Sequence, residues 1–365
     1  MKVPKLGYFI EDEAVNRDTV VKFARELLHW NRTENDRQMP WKGEKDPYKI
    51  WLSEVILQQT RVEQGLKYYE NFITNFPDVF ALAGAPDEKV FKLWEGLGYY
   101  SRCRNLIASA RYIAEQLHGV FPRTYDEILK LKGVGNYTAA AIASFASNLP
   151  YAVLDGNVFR VLSRIFAIDT PVDDTAGKKL FASLAQGMLP AGEAASYNQA
   201  IMDFGAVVCK PVPLCDKCFF NTHCAAFLTG KQNSLPVKSK KIVVKERWLN
   251  YLILTCNDHI AIHQRTGNDI WQQLFEFLLI ESESSISRKA ILARFHAEYG
   301  KVRVRVLKET EADQRLTHQI VHFRFLMLKM NEMQEMSGYR WIPVASLEQY
   351  AFPKTIQQFI LEHLR

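Results

Sequence analysis

The sequence contains no long apolar run. Its N-terminal segment lacks the apolar core of about 7–15 residues that a secretory signal peptide needs. No stretch approaches the roughly 18 consecutive apolar residues of a membrane span. We therefore expect neither a signal peptide nor a membrane helix, and we expect a cytoplasmic protein.

Charge of one sign is not abundant, and cysteine is scarce. The excess of basic residues gives a net charge of +6, which favours a polyanionic partner only weakly. Four of the six cysteines fall between positions 209 and 224. Because no secretory signal accompanies them, this cluster indicates a metal site rather than a disulfide framework.

The length of the chain and the change in residue pattern along it favour two domains. The 365 residues exceed one ordinary domain, and 48% of them are hydrophobic, which suffices for two cores. Helical patterns dominate residues 17–229, and the predicted first domain spans 1–228. Residues 229–247 have the composition of a basic linker, since six of their seven charged residues are positive. We predict a mainly α domain, this linker, and an α+β domain over 248–365.

Local signals place helices in the first domain. The Asp-Pro pair at 46–47 supplies an N-cap and a first-turn proline for an apolar-periodic helix over 48–60. Thr124 and Glu127 form a capping-box pattern that opens a helix over 125–131.

The second domain has strand patterns. Residues 248–264 predict a β-hairpin that turns at Cys-Asn-Asp, and residues 301–309 and 319–330 alternate with period two. Helical patterns occur near 285–298 and 354–364.

The clustered cysteines are spaced C-x5-C-x2-C-x5-C. Four thiolates on one short loop can surround a 4Fe–4S cluster. A structural zinc ion is an alternative, although zinc ribbons usually use two separated CxxC pairs. A disulfide is the other alternative. Lys210 and Lys217 lie within the loop, so the metal could shape a DNA-facing loop. The candidate ligands are Cys209, Cys215, Cys218 and Cys224.

Gly133-Val134-Gly135 separates two helical patterns. Glycines permit a tight turn, and the free N–H groups at the start of the next helix can bind a phosphate. The pattern favours a helix-hairpin-helix element, with a plain helix–helix turn as the alternative.

Two carboxylates are candidate catalytic groups. Apolar neighbours would raise the pKa of Glu54, which suits a general acid. Asp155 precedes a helix, whose N-terminus would keep it ionised. This pairing suits glycosidic cleavage through an oxocarbenium-like transition state. A solvated glutamate and a simple helix cap are the ordinary alternatives.

The order of these segments resembles the endonuclease III/MutY superfamily of base-excision glycosylases. The likeness covers roughly residues 20–229 and rests on the motifs PWKGEKDPYKIWLSEVILQQT, LWEGLGYYSRCRNLI, LKGVGNYTAAAIASFA, VLDGNVFRVLSRIF and YNQAIMDFGAVVCKPVPLC. It implies a two-lobed helix-hairpin-helix fold with a 4Fe–4S cluster. It also implies a monomer that acts on double-stranded DNA, where it excises adenine opposite 8-oxoguanine or guanine.

The resemblance assigns catalytic roles. Glu54 would protonate adenine N7, Asp155 would stabilise the cationic sugar, and Asn157 would orient this pair. Tyr137 occupies the position at which strand-cleaving relatives have a Schiff-base lysine, which implies a monofunctional glycosylase.

Other positions match DNA contacts of the family. Trp41 and Lys42 stand where the family has a Trp-Arg pair that lines the adenine pocket, and lysine lacks the planar fork of arginine. Gln59 and Tyr99 match residues that wedge into the duplex. The remaining expected DNA contacts in this domain are Thr60, Leu97 and the hairpin residues Gly133, Val134 and Gly135.

The second domain resembles the MutT-like (Nudix) domain of this superfamily more weakly. Its helix pattern ISRKAILARF lacks the glutamates that would hold Mg²⁺, so we expect no pyrophosphatase activity. Thr317 and His318 stand where the family reads the oxidised guanine. The loop between the first two cluster cysteines has five residues, one fewer than is common in the family.

Two other functions are alternatives. A glycosylase/lyase that acts on oxidised pyrimidines would favour lysine at position 137 and normally lacks a second domain. A non-enzymatic iron–sulfur DNA-binding or redox-sensing protein would not need Glu54 together with Asp155.

Overall fold

The computed structural model describes residues 17–239, 244–300 and 302–364. The described chain forms two compact units. The first contains residues 17–83 and 108–239. The second contains residues 84–107 and the described residues from 244 onward, a grouping that the sequence did not predict. Part of the predicted linker, residues 240–243, lies outside the described residues.

Helices account for most of the first unit, as the sequence predicted. In chain order the α-helices of the described residues are α1 (Arg17–Thr33), α2 (Pro47–Leu57), α3 (Val62–Asn75), α4 (Val79–Ala83), α5 (Asp87–Trp94), α6 (Tyr100–Gln116), α7 (Tyr125–Ile128), α8 (Asn136–Ser147), α9 (Gly156–Ile165), α10 (Thr175–Met188), α11 (Ala194–Val207), α12 (Ala225–Leu228), α13 (Arg288–Tyr299) and α14 (Lys354–His363).

The predicted helix starts are confirmed, but two helices end early. Asp46 caps α2, and its carboxylate accepts a hydrogen bond from the amide of Tyr48 at 2.9 Å. The Thr124 capping box of α7 is complete. However, α2 ends at Leu57 and α7 at Ile128, three residues before each predicted end, because turns follow directly.

Aromatic packing holds the first unit together. Phe23 of α1 meets Phe220 of the cysteine loop edge-on, with ring centroids 5.1 Å apart. Trp30 of α1 meets Phe204 of α11 at 5.5 Å. The same core contains the apolar face of α9, including Val161. The cysteine loop is therefore anchored in the main core.

A seven-stranded sheet forms the centre of the second unit. The strand order is β3-β2-β1-β6-β5, with β4 paired to β1 and β7 to β2; among the strands of the described residues, only the β1–β6 pair is parallel. The strands are β1 (Lys245–Cys256), β2 (His259–Gln264), β3 (Phe275–Glu276), β4 (Leu278–Ser282), β5 (Val304–Arg315), β6 (Gln319–Met330) and β7 (Tyr339–Pro343). The predicted hairpin and the strand predicted over 319–330 are confirmed. The strand predicted over 301–309 corresponds to β5, which begins at Val304 and continues to Arg315; residue 301 lies outside the described residues.

Both faces of this sheet are covered. Tyr251 of β1 and Phe325 of β6 pack in one cluster with Phe359 of α14. Leu252 of β1 packs on the opposite face in a cluster with Phe295 of α13. Because successive strand residues point to opposite faces, an apolar β1 fits this three-layer arrangement.

Strand β5 lies at one end of the strand order. Its residues alternate between partly buried and exposed over most of its length. The exposed positions include Arg305, Glu309, Glu311 and Asp313.

Among the helices described, none combines the length and hydropathy needed to span a bilayer.

Candidate active site

The first unit contains a cavity of about 650 Å³. Helix α2 packs on α8, and α11 packs on α8 and α9, so residues that are distant in sequence meet at its wall. The predicted site residues on that wall are Trp41, Lys42, Glu54, Gln59, Thr60, Tyr137, Asp155 and Asn157.

Glu54 is buried in the wall of the cavity. Its side chain lies on α2, and the residue is 7% exposed. Burial raises the pKa of Glu54 to about 7, a hydrogen bond from Tyr137 opposes that rise, and the charge of Asp155 adds to it. The predicted raised pKa is therefore confirmed. A carboxyl with this pKa can donate a proton near neutral pH.

Tyr137 is the second residue of α8, and its hydroxyl reaches Glu54. Burial is the main cause that raises the pKa of this phenol well above its usual value, and the nearby carboxylates of Glu54 and Asp155 add to it. The hydroxyl therefore stays protonated and donates a hydrogen bond to ionised Glu54. A phenol of this kind cannot form the imine that an amine forms.

Asp155 is the N-cap of α9. Its Oδ1 accepts a hydrogen bond from the Val158 amide at 2.8 Å, and its Oδ2 accepts one from Asn157 Nδ2 at 2.7 Å. These bonds favour the carboxylate. Burial nevertheless raises the pKa of Asp155 above its usual value. Desolvation thus outweighs the hydrogen bonds of the cap, and that Asp155 is ionised stays a prediction.

Arg160 is a site residue that the sequence analysis missed. Its Nη2 donates to Asn157 Oδ1 at 2.8 Å and to the Gly205 carbonyl at 2.7 Å. Its Nε donates to the Cys209 carbonyl at 2.8 Å. Arg160 thus joins the Asp155–Asn157 pair to the cysteine loop. Its position three residues after Asn157 on one helix was the available signal.

Gly205 permits this arrangement. A Cβ at this position would lie 2.7 Å from Cβ of Asn157, which is closer than side chains pack. Helix α11 can therefore approach the start of α9 only with glycine here.

Asp203 is a second residue that the sequence analysis missed. It is fully buried on α11, and it pairs with Arg37 at 2.7 Å and with Lys42 at 3.2 Å. Asn35 and Gln199 donate to it at 2.9 and 3.0 Å. Lys42 lines the cavity as predicted, but its ammonium is already held by Asp203 and by the Arg37 carbonyl at 2.8 Å.

The turn after α2 has an unusual backbone. Gln59 has a φ of 56°, a conformation that non-glycine residues rarely adopt. The Gln58 side chain donates to Thr138 Oγ1 of α8 at 3.0 Å and so anchors this turn. Gln59 is therefore placed in a tight turn at the cavity and not within a helix.

The predicted hairpin connects α7 to α8. Gly133 has a φ of 78°, and the Val134 amide donates to the Leu131 carbonyl at 3.1 Å. Gly133 and Gly135 are exposed, whereas Val134 is buried. Helix α8 starts after Gly135 without a side-chain cap. This end is suited to a phosphate.

The four clustered cysteines are free thiols that line one small cavity. Burial raises the pKa of Cys218 to about 12, a backbone hydrogen bond opposes the rise, and the neighbouring cluster thiols add to it. Arg164 faces the same cavity, with Nη1 3.4 Å from Cys209 Sγ. Within the described residues, no group of three or more His, Cys, Asp and Glu is arranged to hold a single metal ion.

The other predicted DNA contacts lie in the second unit. Thr317 and His318 occupy an exposed turn between β5 and β6. The Tyr99 hydroxyl lies 2.9 Å from Thr317 Oγ1, within hydrogen-bond distance, and Tyr99 is 45% exposed. Leu97 is 5% exposed, so its side chain is buried, and its contact with DNA stays a prediction.

The fold and the site define a helix-hairpin-helix base excision DNA repair protein. Residues 52–185 match the family model for the HhH-GPD superfamily base excision DNA repair protein, and residues 250–362 match the NUDIX domain. A thermostable thymine-DNA glycosylase shares the fold at a TM-score of 0.53 and 28% identity, over 58% of this chain and 98% of that one.

Sequence relatives narrow this class. The chain is 36% identical over 261 residues to an adenine DNA glycosylase of Buchnera aphidicola subsp. Baizongia pistaciae, covering 71% of this chain and 74% of the relative. It is 40% identical over 226 residues to the Homo sapiens adenine DNA glycosylase, covering 59% of this chain and 41% of the relative. The chain belongs to the adenine DNA glycosylase family.

Proposed function

We propose that this adenine DNA glycosylase acts as a monomer on duplex DNA and excises adenine paired with 8-oxoguanine or guanine. The observation that carries the proposal is the buried Glu54 carboxyl, with a pKa of about 7, beside Tyr137, Asp155 and Asn157 in one cavity. A cavity of about 650 Å³ can enclose a base that is flipped out of the duplex.

Each step uses a group on the cavity wall. Protonated Glu54 donates its proton to N7 of adenine, which makes the base a better leaving group. The bond between N9 and C1′ then breaks, and adenine leaves with the bonding electrons. The Asp155 carboxylate, oriented by Asn157, stabilises the positive sugar. Water adds to C1′ and releases a proton, which leaves an abasic site.

We also propose that the enzyme is monofunctional. A lyase needs an amine that forms an imine with C1′. Tyr137 instead presents a protonated phenol to Glu54. The abasic site should therefore leave the enzyme with its strand intact.

Purified enzyme assayed on three duplexes tests both proposals. Adenine should be released from 8-oxoguanine:A and more slowly from G:A, and thymine glycol:A should be untouched. Strand breaks should appear only after alkali or heat, and borohydride should trap little covalent complex. Release of thymine glycol with efficient trapping would favour the glycosylase/lyase alternative.

The second unit is proposed to read the base opposite adenine. 8-Oxoguanine differs from guanine by a proton on N7 and an oxygen on C8, so hydrogen bonds at those atoms can separate the two. Thr317 and His318 are exposed in one turn, and Tyr99 contacts Thr317. One well-placed contact provides about 1–3 kcal/mol of discrimination.

We propose that Cys209, Cys215, Cys218 and Cys224 hold a 4Fe–4S cluster. Proteins of the endonuclease III-like family, which this chain resembles, typically carry a 4Fe–4S cluster. The residues fit, since four free thiols line one cavity and Arg164, a cation that favours thiolates, faces it. The cluster would hold the loop in a fixed conformation. Arg160 would link the loop to Asn157, because it donates hydrogen bonds to the Cys209 carbonyl and to Asn157 Oδ1.

Metal analysis tests this assignment. Anaerobically purified protein should contain about four irons per chain and absorb broadly at about 400 nm. Cys218→Ser should lower iron content, folded yield and DNA affinity together. Cys256→Ala is the matched control, because Cys256 is buried in the second unit, and it should keep its iron. One zinc and no iron in the wild type would refute the cluster.

A further inference from the structure

Residues 84–107 belong to one domain by sequence but pack with the other. They lie inside the segment 52–185 that matches the helix-hairpin-helix family. In the structure they group with the C-terminal domain. This segment carries Tyr99. The hydrogen bonds that tie it to the C-terminal domain therefore bear on the reading of the opposite base.

Glu95 makes two of these bonds. It is the C-cap residue that follows α5, and its side chain is 7% exposed. Its Oε1 accepts a hydrogen bond from the Phe352 amide at 2.8 Å. Its Oε2 accepts one from Gln357 Nε2 at 2.8 Å and one from Lys92 Nζ at 2.7 Å. One carboxylate thus joins α5 to two points of the C-terminal domain.

Lys92 strengthens the same attachment. Besides its bond to Glu95, its ammonium donates to the Tyr350 carbonyl at 3.0 Å. The pair therefore holds α5 against the anchor segment, which we define as residues 350–357. Charge-assisted hydrogen bonds in a buried setting are stronger and more directional than surface ion pairs.

A short turn leads directly from Glu95 to Tyr99. We call residues 96–99 the wedge turn. Gly96, Gly98 and Tyr99 all have positive φ, at 88°, 81° and 48°. Positive φ is costly for tyrosine, so the surroundings must hold it there. Trp94 Nε1 donates to the Gly98 carbonyl at 3.0 Å, which is one such restraint.

The wedge turn is also held at its tip. The Tyr99 hydroxyl lies 2.9 Å from Thr317 Oγ1. The Arg102 guanidinium lies 5.5 Å from the centre of the Tyr99 ring and 5.2 Å from that of Trp94. The turn is thus fixed at its base through Glu95 and at its end through Thr317, both times to the C-terminal domain.

We propose that Glu95 is a positioning residue that determines specificity for the base opposite adenine. Its side chain is buried, so it acts through the wedge turn, whose position it ties to the anchor segment. The C-terminal domain thereby sets the position of Tyr99 as well as that of Thr317. This inference rests on the proposed reading of 8-oxoguanine by Tyr99 and Thr317.

Single-turnover rates of the full-length enzyme on 8-oxoguanine:A and G:A duplexes test it. Glu95→Gln removes the charge that Lys92 and Gln357 bind. The preference for 8-oxoguanine:A should fall about tenfold, as expected for one charge-assisted hydrogen bond. The G:A rate should stay within about twofold of wild type. Gln357→Met, which removes only one bond to Glu95, should lower the preference about threefold.

Glu88→Gln is the matched control. Glu88 lies on the same helix and pairs with Arg340 of the same domain at 3.1 Å, but both side chains are about half exposed. An exposed pair contributes little, so the preference should not change. A 2-aminopurine placed beside 8-oxoguanine gives a second measurement, because its fluorescence rises when a wedge unstacks it. Glu95→Gln should reduce that rise, and Glu88→Gln should not.

The outcomes separate this inference from the proposed function. Thr317→Ala should lower the preference. If it does while Glu95→Gln and Gln357→Met leave the preference and the fluorescence unchanged, the proposed recognition of 8-oxoguanine by Thr317 is retained and the role of Glu95 is wrong. Equal slowing of both substrates by Glu95→Gln would also overturn it. A wild type without any preference for 8-oxoguanine:A would overturn both the proposed recognition of 8-oxoguanine and the positioning role of Glu95.

Discussion

Replacing Glu54 with glutamine is expected to slow adenine excision by at least about 10²- to 10⁴-fold, the usual contribution of a general acid. The amide keeps the shape of the side chain in its buried position but has no proton to give to N7. Binding to an 8-oxoguanine:A duplex should therefore persist. Single-turnover excision and a gel-shift measurement with the same duplex separate the two effects.

The pH profile identifies the same group. In the proposed mechanism Glu54 must be protonated to act as the acid, and burial raises its pKa to about 7. Excision should fall as the pH rises above about 7, because the proton is lost. Glu63→Gln, on the exposed face of α3, is the control and should keep both rate and profile. A Glu54→Gln rate within threefold of wild type would refute the assignment.

Replacing Asp155 with asparagine should produce the second large loss, about 10²- to 10³-fold in excision rate, as when one preorganised electrostatic group is removed. Asparagine is also a good N-cap, so α9 should survive. The amide cannot offer a full negative charge to the sugar cation. The loss should appear in the single-turnover rate and not in the melting temperature.

Asp174→Asn is a closely matched control for this experiment. Asp174 caps α10 as Asp155 caps α9, and its carboxylate accepts a hydrogen bond from the Gly177 amide at 2.6 Å. It is absent from the cavity wall. The two variants alter helix capping equally, so a comparable slowing in both would mean that Asp155 serves only as a cap.

The sequence predicted local features well. The caps at Asp46, Thr124 and Asp155 depend on a few neighbouring residues, and all three are formed. Strand alternation likewise predicted β5 and β6. These features follow from backbone geometry and hydrogen bonding over short distances, which is the information that one sequence contains.

Features that depend on distant segments could not be predicted in this way. Asp203 becomes a binding site for Arg37 and Lys42 only because α11 folds against the loop before α2. The pKa of Asp155 rises because remote chain segments bury it. Residues 84–107 likewise pack with the C-terminal domain through contacts between distant segments, such as those that Glu95 makes with Phe352 and Gln357.

The position of β5 at one end of the sheet has a consequence for the protein in concentrated solution. An edge strand presents unpaired backbone groups to which another chain can add. The outward side chains of β5 include both signs of charge, at Arg305, Glu309 and Asp313. A second strand added at this edge would remove part of the water around these charges. The charges therefore disfavour edge-to-edge addition of one molecule to the next.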